Sequence, residues 1–340
     1  MDYSYPVVPT RFSRRSMLVG TAAASALVLS GCGLQRGGMA NGVPGRTQVV
    51  VHTGPGGGSD VFARQIVKLL QSDGLIKDNW PVRNQTEGSS IGAMSYLRSR
   101  KGKTDTVAAV TPTWLVTPLT LAGTSVSITE LQPIAALLVE PQIIAVRADS
   151  AYKTMKDFIA DAEANPDRLV QVGGSITATD SLTGKALQAK TGTHWKFLSF
   201  SDSGQRIAAL LRNDAQMMIG ASTDFVDQVQ VGAIRVIATV ADRKVSTFPE
   251  LTSIKAQGID AGELPEEFRG FVGPPGMPAE AITYYQQVFE KLVKAPGWKD
   301  FVDENGSVTD FLDASAFGKL LSEQNESLKT LIDSLGLGEL

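Results

Sequence analysis

Cysteine is almost missing from this chain of 340 residues: Cys32 is the only one. No intrachain disulfide is therefore possible, and no second thiol is left for catalysis or a thiolate metal centre. Histidine is nearly as scarce, with His52 and His194 alone, too few ligands for a zinc site. Charge of one sign is not in excess either, since 32 Lys and Arg face 35 Asp and Glu. Without Asp2, Arg11, Arg14 and Arg15 the stretch from Cys32 onward has 29 basic and 34 acidic side chains, and this mildly acidic balance argues against nucleic acid as a partner. The apolar run Met17 to Leu29 is too short to span a bilayer comfortably. No self-similar period suggests a repeat array.

The N-terminus carries an address. Ser13-Arg14-Arg15-Ser16-Met17-Leu18 reads as a twin-arginine export signal, and the apolar run behind it ends in Leu29-Ser30-Gly31-Cys32, a lipobox whose cysteine is diacylated and becomes residue one. Residues 1–31 are expected to be a lipoprotein signal peptide. Residues 32–46, rich in glycine with Asn41 and Pro44, are expected to be a flexible tether.

From Gln48 onward short apolar runs alternate with helical patterns, which predicts an α/β fold with mostly parallel strands. Strands are predicted at 49–52, 80–84, 106–111, 133–138, 142–147, 169–172, 195–198, 216–219, 234–240 and 268–272. Helices are predicted at 60–71, 91–100, 113–121, 156–163, 181–189, 205–212, 225–231, 279–293 and 314–335. The middle block is a complete α/β set, so two lobes are expected: 47–145 with 243–340, and 146–242. Two lobes joined by two crossings close by a hinge around something small.

The chain is organised around Pro55-Gly56-Gly57-Gly58-Ser59-Asp60, a turn between the β-branched run Val49-Val50-Val51 and an amphipathic helix. Glycines let backbone N–H groups approach a ligand, Ser59 suits the N-cap, and the helix start favours an anion. The Gly-Lys-Ser/Thr ending of a phosphate-cradling P-loop is missing, and the glycine spacing is wrong for a dinucleotide site. Other loops after strands repeat the composition: Ser89 and Ser90, Thr111, then Ser175, Thr177, Thr179 and Asp180, and Ser201. Hydroxyls, glycines and free helix starts with few cations suit a carboxylate held by neutral donors and water. Hydrogen bonds to a charged group contribute about 1.5–3 kcal/mol each, and micromolar affinity needs about 8 kcal/mol. The same residue types also serve as ordinary helix caps, and Asp180 and Asp202 each fit an N-cap or a ligand-orienting acceptor.

Gly88-Ser89-Ser90-Ile91-Gly92 formally fits a nucleophile elbow, with His194 downstream and Asp180 between. However, the polar Gln85-Thr86-Glu87 separates it from any buried strand, so a serine hydrolase is the weaker alternative and no catalytic residue is assigned.

The loops and their order resemble the substrate-binding receptors of tripartite tricarboxylate transporters, the Bug-type receptors, from about Val49 to Phe311. Carrying the resemblance are Pro55-Gly56-Gly57-Gly58-Ser59-Asp60 with Ala63-Arg64; Gly173-Gly174-Ser175 with Thr179-Asp180; Gln216-Met217-Met218 before Gly232-Ala233-Ile234-Arg235; and Phe268-Arg269-Gly270 with Pro274-Pro275-Gly276. The middle loop resembles the tricarboxylate branch. Asn84-Gln85-Thr86-Glu87-Gly88 departs from the family's Asn-x-Pro-Gly, and Ser181 stands where relatives often have His. The resemblance implies a two-lobed type II periplasmic binding protein fold, a small organic carboxylate as ligand, and a two-component integral membrane permease as partner. It further implies ligand contacts at Gly57, Gly58, Ser59, Ser175, Thr177 and Thr179. No cofactor, metal, catalysis or nucleic acid is expected; a monomer exported and lipid-anchored through Cys32 on the outer face of the membrane is. A sensing subunit for a membrane signalling protein would need the same cleft.

Overall fold

Strict alternation along the apolar strands decides the architecture. Val49 and Val51 enter one apolar cluster and Val50 another, and Val107 and Ala109 separate from Ala108 and Val110 in the same way. Side chains alternate across a strand, so a run that is apolar at every position must be covered by helices on both faces. The computed structural model describes residues 39–40, 43–176, 178–200, 202–261, 264, 266–334 and 336. The expected export signal, Cys32, Thr177 and Ser201 lie outside the described residues.

Within 32–46, where a flexible tether is expected, β1 (Met39–Ala40) and β2 (Val43–Pro44) pair antiparallel. Pro44 is buried, which holds this stretch against the body. Then follow β3 (Gln48–Val51), α1 (Gly58–Ser72), β4 (Val82–Asn84), α2 (Ile91–Ser99), β5 (Thr106–Val110), α3 (Thr113–Thr120) and β6 (Gln132–Glu140). After Pro141 come β7 (Gln142–Arg147), α4 (Met155–Ala164), β8 (Val170–Gly173), α5 (Thr179–Thr191), β9 (Lys196–Ser199), α6 (Ser203–Leu211), β10 (Met217–Ala221), α7 (Val226–Gln230) and β11 (Ile234–Thr239). The chain ends with β12 (Glu267–Gly273), α8 (Ala279–Leu292), α9 (Pro296–Glu304), β13 (Val308–Leu312) and α10 (Ala314–Ser334).

Two sheets result. The six-stranded sheet runs β13-β6-β12-β5-β3-β4 and the five-stranded sheet β11-β7-β10-β8-β9. Each is parallel at one side only: β4-β3-β5 and β9-β8-β10 are parallel, whereas β5-β12-β6-β13 and β10-β7-β11 are antiparallel. Parallel pairings are two of five in the larger sheet and two of four in the smaller, so the mostly parallel expectation is corrected to mixed sheets. β7 and β12 each enter their sheet from a strand of the other sheet rather than through a helical crossover, and both pair antiparallel with their neighbours.

On the first sheet, α1, α8 and α9 cover one face and α2, α3 and α10 the other. Aromatic stacking reinforces the first layer, with the rings of Phe271 and Phe289 4.3 Å apart, a pair that adds about 0.5–1.5 kcal/mol beyond area burial. On the second sheet, Met217 and Ile219 face the layer of α4 while Met218 faces that of α6. α9 and β13 are absent from the sequence-based assignment. α9 opens on Pro296, which fits the first helical position because its missing N–H costs nothing there.

Only Pro141 separates β6 from β7, whereas residues 240–266 carry the second crossing. Arg243 clamps that long segment, binding Glu266 through two hydrogen bonds of 3.0 and 3.2 Å and Asp310 on β13 at 2.9 Å.

Candidate functional site

The glycine turn after β3 is organised by an acceptor of its own. Asp60 receives the Gly56 N–H at 3.0 Å, the Arg64 guanidinium at 3.0 Å and the Asn84 amide at 2.9 Å, while its own N–H donates to Thr53 Oγ1 at 3.1 Å. The Arg64 hydrogen bond leads the causes that hold Asp60 down to a pKa of about 2. Asp60 is thus a fixed anion that shapes the loop from within. Gly56 sits at φ +81°, a conformation that favours glycine, and a Cβ on Gly57 would stand 2.7 Å from Thr53 Cβ.

Ser59 is not the cap. α1 begins at Gly58 with Gly57 as N-cap and no side-chain cap bond, because the glycines let the helix start earlier than the pattern suggested. Ser59 is buried, its hydroxyl 3.5 Å from His52 Nδ1. That same nitrogen accepts the Trp114 indole N–H at 2.9 Å, so the imidazole proton is assigned to Nε2. Burial first, and Arg269 second, lower the His52 pKa from 6.5 to about 4. The folded protein therefore keeps His52 neutral where the unfolded chain would protonate it. Its contribution to stability is complete above pH 6.5 and is lost as pH falls toward about 4. Urea titrations are expected to show unfolding free energy dropping across that window in the wild type, with a shallower drop in His52→Asn; equal slopes would remove His52 as the cause.

The neighbouring loops of this sheet are mixed in exposure. Ser89 is exposed at φ +59°, and Thr117 Oγ1 donates to its hydroxyl at 3.5 Å. Ser90 is fully buried and donates to the Thr113 carbonyl at 3.3 Å, which spends the hydroxyl that an elbow would present. Thr111 is buried at the end of β5. Trp114 is wholly buried and positions His52.

In the second sheet the loop after β8 repeats the device. Asp180 receives the Gly174 N–H at 2.6 Å and the Ser181 N–H at 2.9 Å, with Arg206 at 3.9 Å; burial is the main cause raising its pKa. Thr179 and Asp180 are buried in the first turn of α5, and Ser175 is exposed beside them. A Cβ on Gly173 would lie 2.3 Å from Asp180 Oδ2. Asp202 is the N-cap of α6, accepting the Gln205 N–H at 2.9 Å.

The start of α5 abuts the other sheet's helix layer. Leu182 belongs to the cluster around Trp114 and Phe317, and Thr183 donates to Gln142 at 2.8 Å. Beneath lie three charged residues that were not predicted as site residues. Arg269 grips both carboxylate oxygens of Glu140 at 3.0 and 2.9 Å, and its guanidinium nitrogens lie 3.7 and 3.9 Å from where a Gly58 Cβ would be. Glu267, two residues along the same strand, pairs opposite Glu140, and the Thr179 hydroxyl is among the groups favouring its charged form. Burial pushes its pKa up to about 7. Arg269 of this cluster therefore stands beside the start of α1 at Gly58. The polar-apolar-polar order of Glu267-Phe268-Arg269 was the signal in the sequence: period two puts both charges on one face.

A cavity of about 230 Å³ lies against the first turn of α1, lined by Gly58, Gln65, Glu140, Arg269, Asn305 and Ser307 among others. Another, of about 400 Å³, opens behind the crossing at Pro141 between residues 240–266 and α10. Glu140 lines both, and Glu267 lines the larger. Of the predicted site residues that are described, Gly58 lines the smaller cavity and none lines the larger. Among the described residues no group of three or more His, Cys, Asp or Glu side chains is placed to hold a metal ion, and no helix is long and apolar enough to cross a membrane.

Comparison with known proteins adds lineage to geometry. The profile of the family described as tripartite tricarboxylate transporter family receptor matches residues 78–337. A UPF0065 protein from the gbd 5' region of Cupriavidus necator is 24% identical over 196 residues, 58% of this chain and 59% of that protein, so the chain spans about three fifths of that relative's length. A TctC solute binding protein from Polaromonas, solved without ligand, superposes with a TM-score of 0.74 at 21% identity, covering 85% of this chain and 98% of that one. An R. palustris protein solved with adipate gives a TM-score of 0.74 at 17% identity, covering 87% and 99%. These structures share the two-lobed α/β fold.

Proposed function

The chain belongs to the receptor family of tripartite tricarboxylate transporters, and we propose that it captures a small organic acid with two or three carboxylates between its sheets and hands it to a two-component membrane permease. In this reading the protein is exported, tethered to lipid through Cys32, and performs no chemistry on its ligand. One observation carries the reading: α1 and α5 each begin at a glycine-bearing loop shaped by a buried aspartate, and the start of α1 at Gly58 stands beside the Arg269 guanidinium. First-turn N–H groups lack intrahelical partners and attract anions, so two helix starts suit a ligand with a carboxylate at each end. The adipate held by the R. palustris protein of the same fold is such a molecule.

Thermal denaturation with adipate, malate, citrate and hexanoate tests this. A ligand at 100 times its Kd stabilises by about 2.7 kcal/mol, so at least one of the three polycarboxylates should raise the Tm clearly. Hexanoate, with a single carboxylate, should raise it much less. A flat response to all four, or equal shifts from hexanoate and adipate, would sink the reading.

A further inference from the structure

We propose that Arg206 is a specificity-determining residue: its guanidinium receives the carboxylate that the ligand brings to the start of α5, and so selects acids with a second carboxylate over acids with one. The inference rests on the receptor reading above and names the protein's partner for that second charge. It starts from the strand order of the second sheet. β8 and β9 are parallel neighbours. Yet the helix after β8 packs in the layer of α4, with Leu187 in the cluster of Phe158, while the helix after β9 packs in the opposite layer through Ala209 and Leu210. Adjacent strands whose helices leave to opposite faces open a crevice at their carboxyl ends, which is where such sheets hold ligands. Leu182 packs in the cluster of Trp114 and Phe317, so the start of α5 lies where the two sheets meet.

Arg206 comes to this crevice from the first turns of α6. One guanidinium nitrogen lies 3.9 Å from Asp180 Oδ2, too far for a hydrogen bond, and among the described residues it makes no other ion pair. The nearby acids are engaged elsewhere: Asp180 accepts the Gly174 and Ser181 N–H groups, Asp202 the Gln205 N–H, and Asp224 the Ser203 hydroxyl. The Arg206 side chain is only 19% exposed, and its Nε is buried with no hydrogen-bond partner. Burying part of a cation without an acceptor is costly, and the planar fork of a guanidinium matches a carboxylate. No side chain caps α5, so its first-turn N–H groups draw on the same anion. A carboxylate arriving there meets a guanidinium and a helix start together, while Asp180 keeps both oxygens on its own loop.

Calorimetry with adipate and monomethyl adipate, in which one carboxyl is esterified, makes the test. Wild type should bind adipate at least about tenfold more tightly than the ester. Arg206→Gln should lose most of that margin, weakening adipate about tenfold or more and the ester by less than about threefold, because the ester's one carboxylate still has the start of α1. Arg206→Lys, which keeps the charge and loses the fork, should retain part of the margin. An unchanged margin in Arg206→Gln overturns the inference and leaves the receptor reading standing. So does an equal weakening of both ligands, the result expected of a brace that merely steadies Asp180. Wild type also decides without any variant having to fold, since an ester that binds as tightly as adipate overturns the inference. If malate or citrate binds and adipate does not, that acid and its monomethyl ester take the same two roles; if no acid binds at all, both readings fall.

Discussion

Gly58→Glu is expected to abolish acid binding while leaving the fold intact. A Cβ at Gly58 meets nothing closer than the Arg269 nitrogens at 3.7 and 3.9 Å, which is ordinary contact. The new carboxylate would sit in the first turn of α1, where negative charge stabilises a helix by about 0.3–1 kcal/mol. From there it would reach Arg269 and the N–H groups proposed to hold the ligand. A receptor that has lost two hydrogen bonds to an anion, each about 1.5–3 kcal/mol, should bind adipate at least about a hundredfold more weakly. Unfolding temperature without ligand should be unchanged or slightly higher, and Gly58→Ala should weaken binding far less. Calorimetric affinity of Gly58→Glu within about threefold of wild type would move the ligand away from this helix start.

The largest loss of stability is expected from Trp114→Ala. The indole is completely buried among Met94, Leu97, Leu115 and Phe317, and truncating a buried tryptophan costs about 3–5 kcal/mol. It also donates to His52 Nδ1 and meets that ring edge-on at a centroid distance of 5.9 Å. His52 closes β3 immediately before the glycine turn, so its loosening should spread to the loop and weaken acid binding as well. Trp114→Phe preserves most of the volume and removes only the N–H donor, which should cost about 1–3 kcal/mol. Urea-induced unfolding followed by circular dichroism distinguishes the two. A Trp114→Ala protein within about 1 kcal/mol of wild type would show that the cavity collapses and that His52 finds another donor.

Much of the molecule could be read from local pattern. The alternation of Val49, Val50 and Val51 and the helical spacing of Phe62, Ile66 and Leu70 report a buried strand followed by a helix packed on it. The paired glycine loops with Asp60 and Asp180 were legible as helix starts. Their aspartates were not legible as internal braces, because side chains that bond back to their own loop look like binding groups in a string of letters. Ser59 was misplaced for a similar reason: serine is a better cap than glycine in general, but here the helix begins one residue before it, at Gly58. The floor was least visible. Arg269 and Glu140 are 129 residues apart, and only the antiparallel register of β12 on β6, which sets Glu267 opposite Glu140 and Arg269 opposite Leu138, brings them together. β13 escaped notice because an edge strand with Thr309 and Asp310 in its middle has no continuous apolar run.

The two passages between the sheets are unequal, and that inequality bears on how the two sheets could swing against each other. Pro141 alone joins β6 to β7; with its φ locked by the ring, it behaves as an axle with little give. The second passage is longer, and Arg243 ties it to the first sheet by holding Glu266 and Asp310 together. Swinging about such a lopsided support, the lobes would travel farthest at the rim remote from Pro141 and scarcely at all beside Glu140.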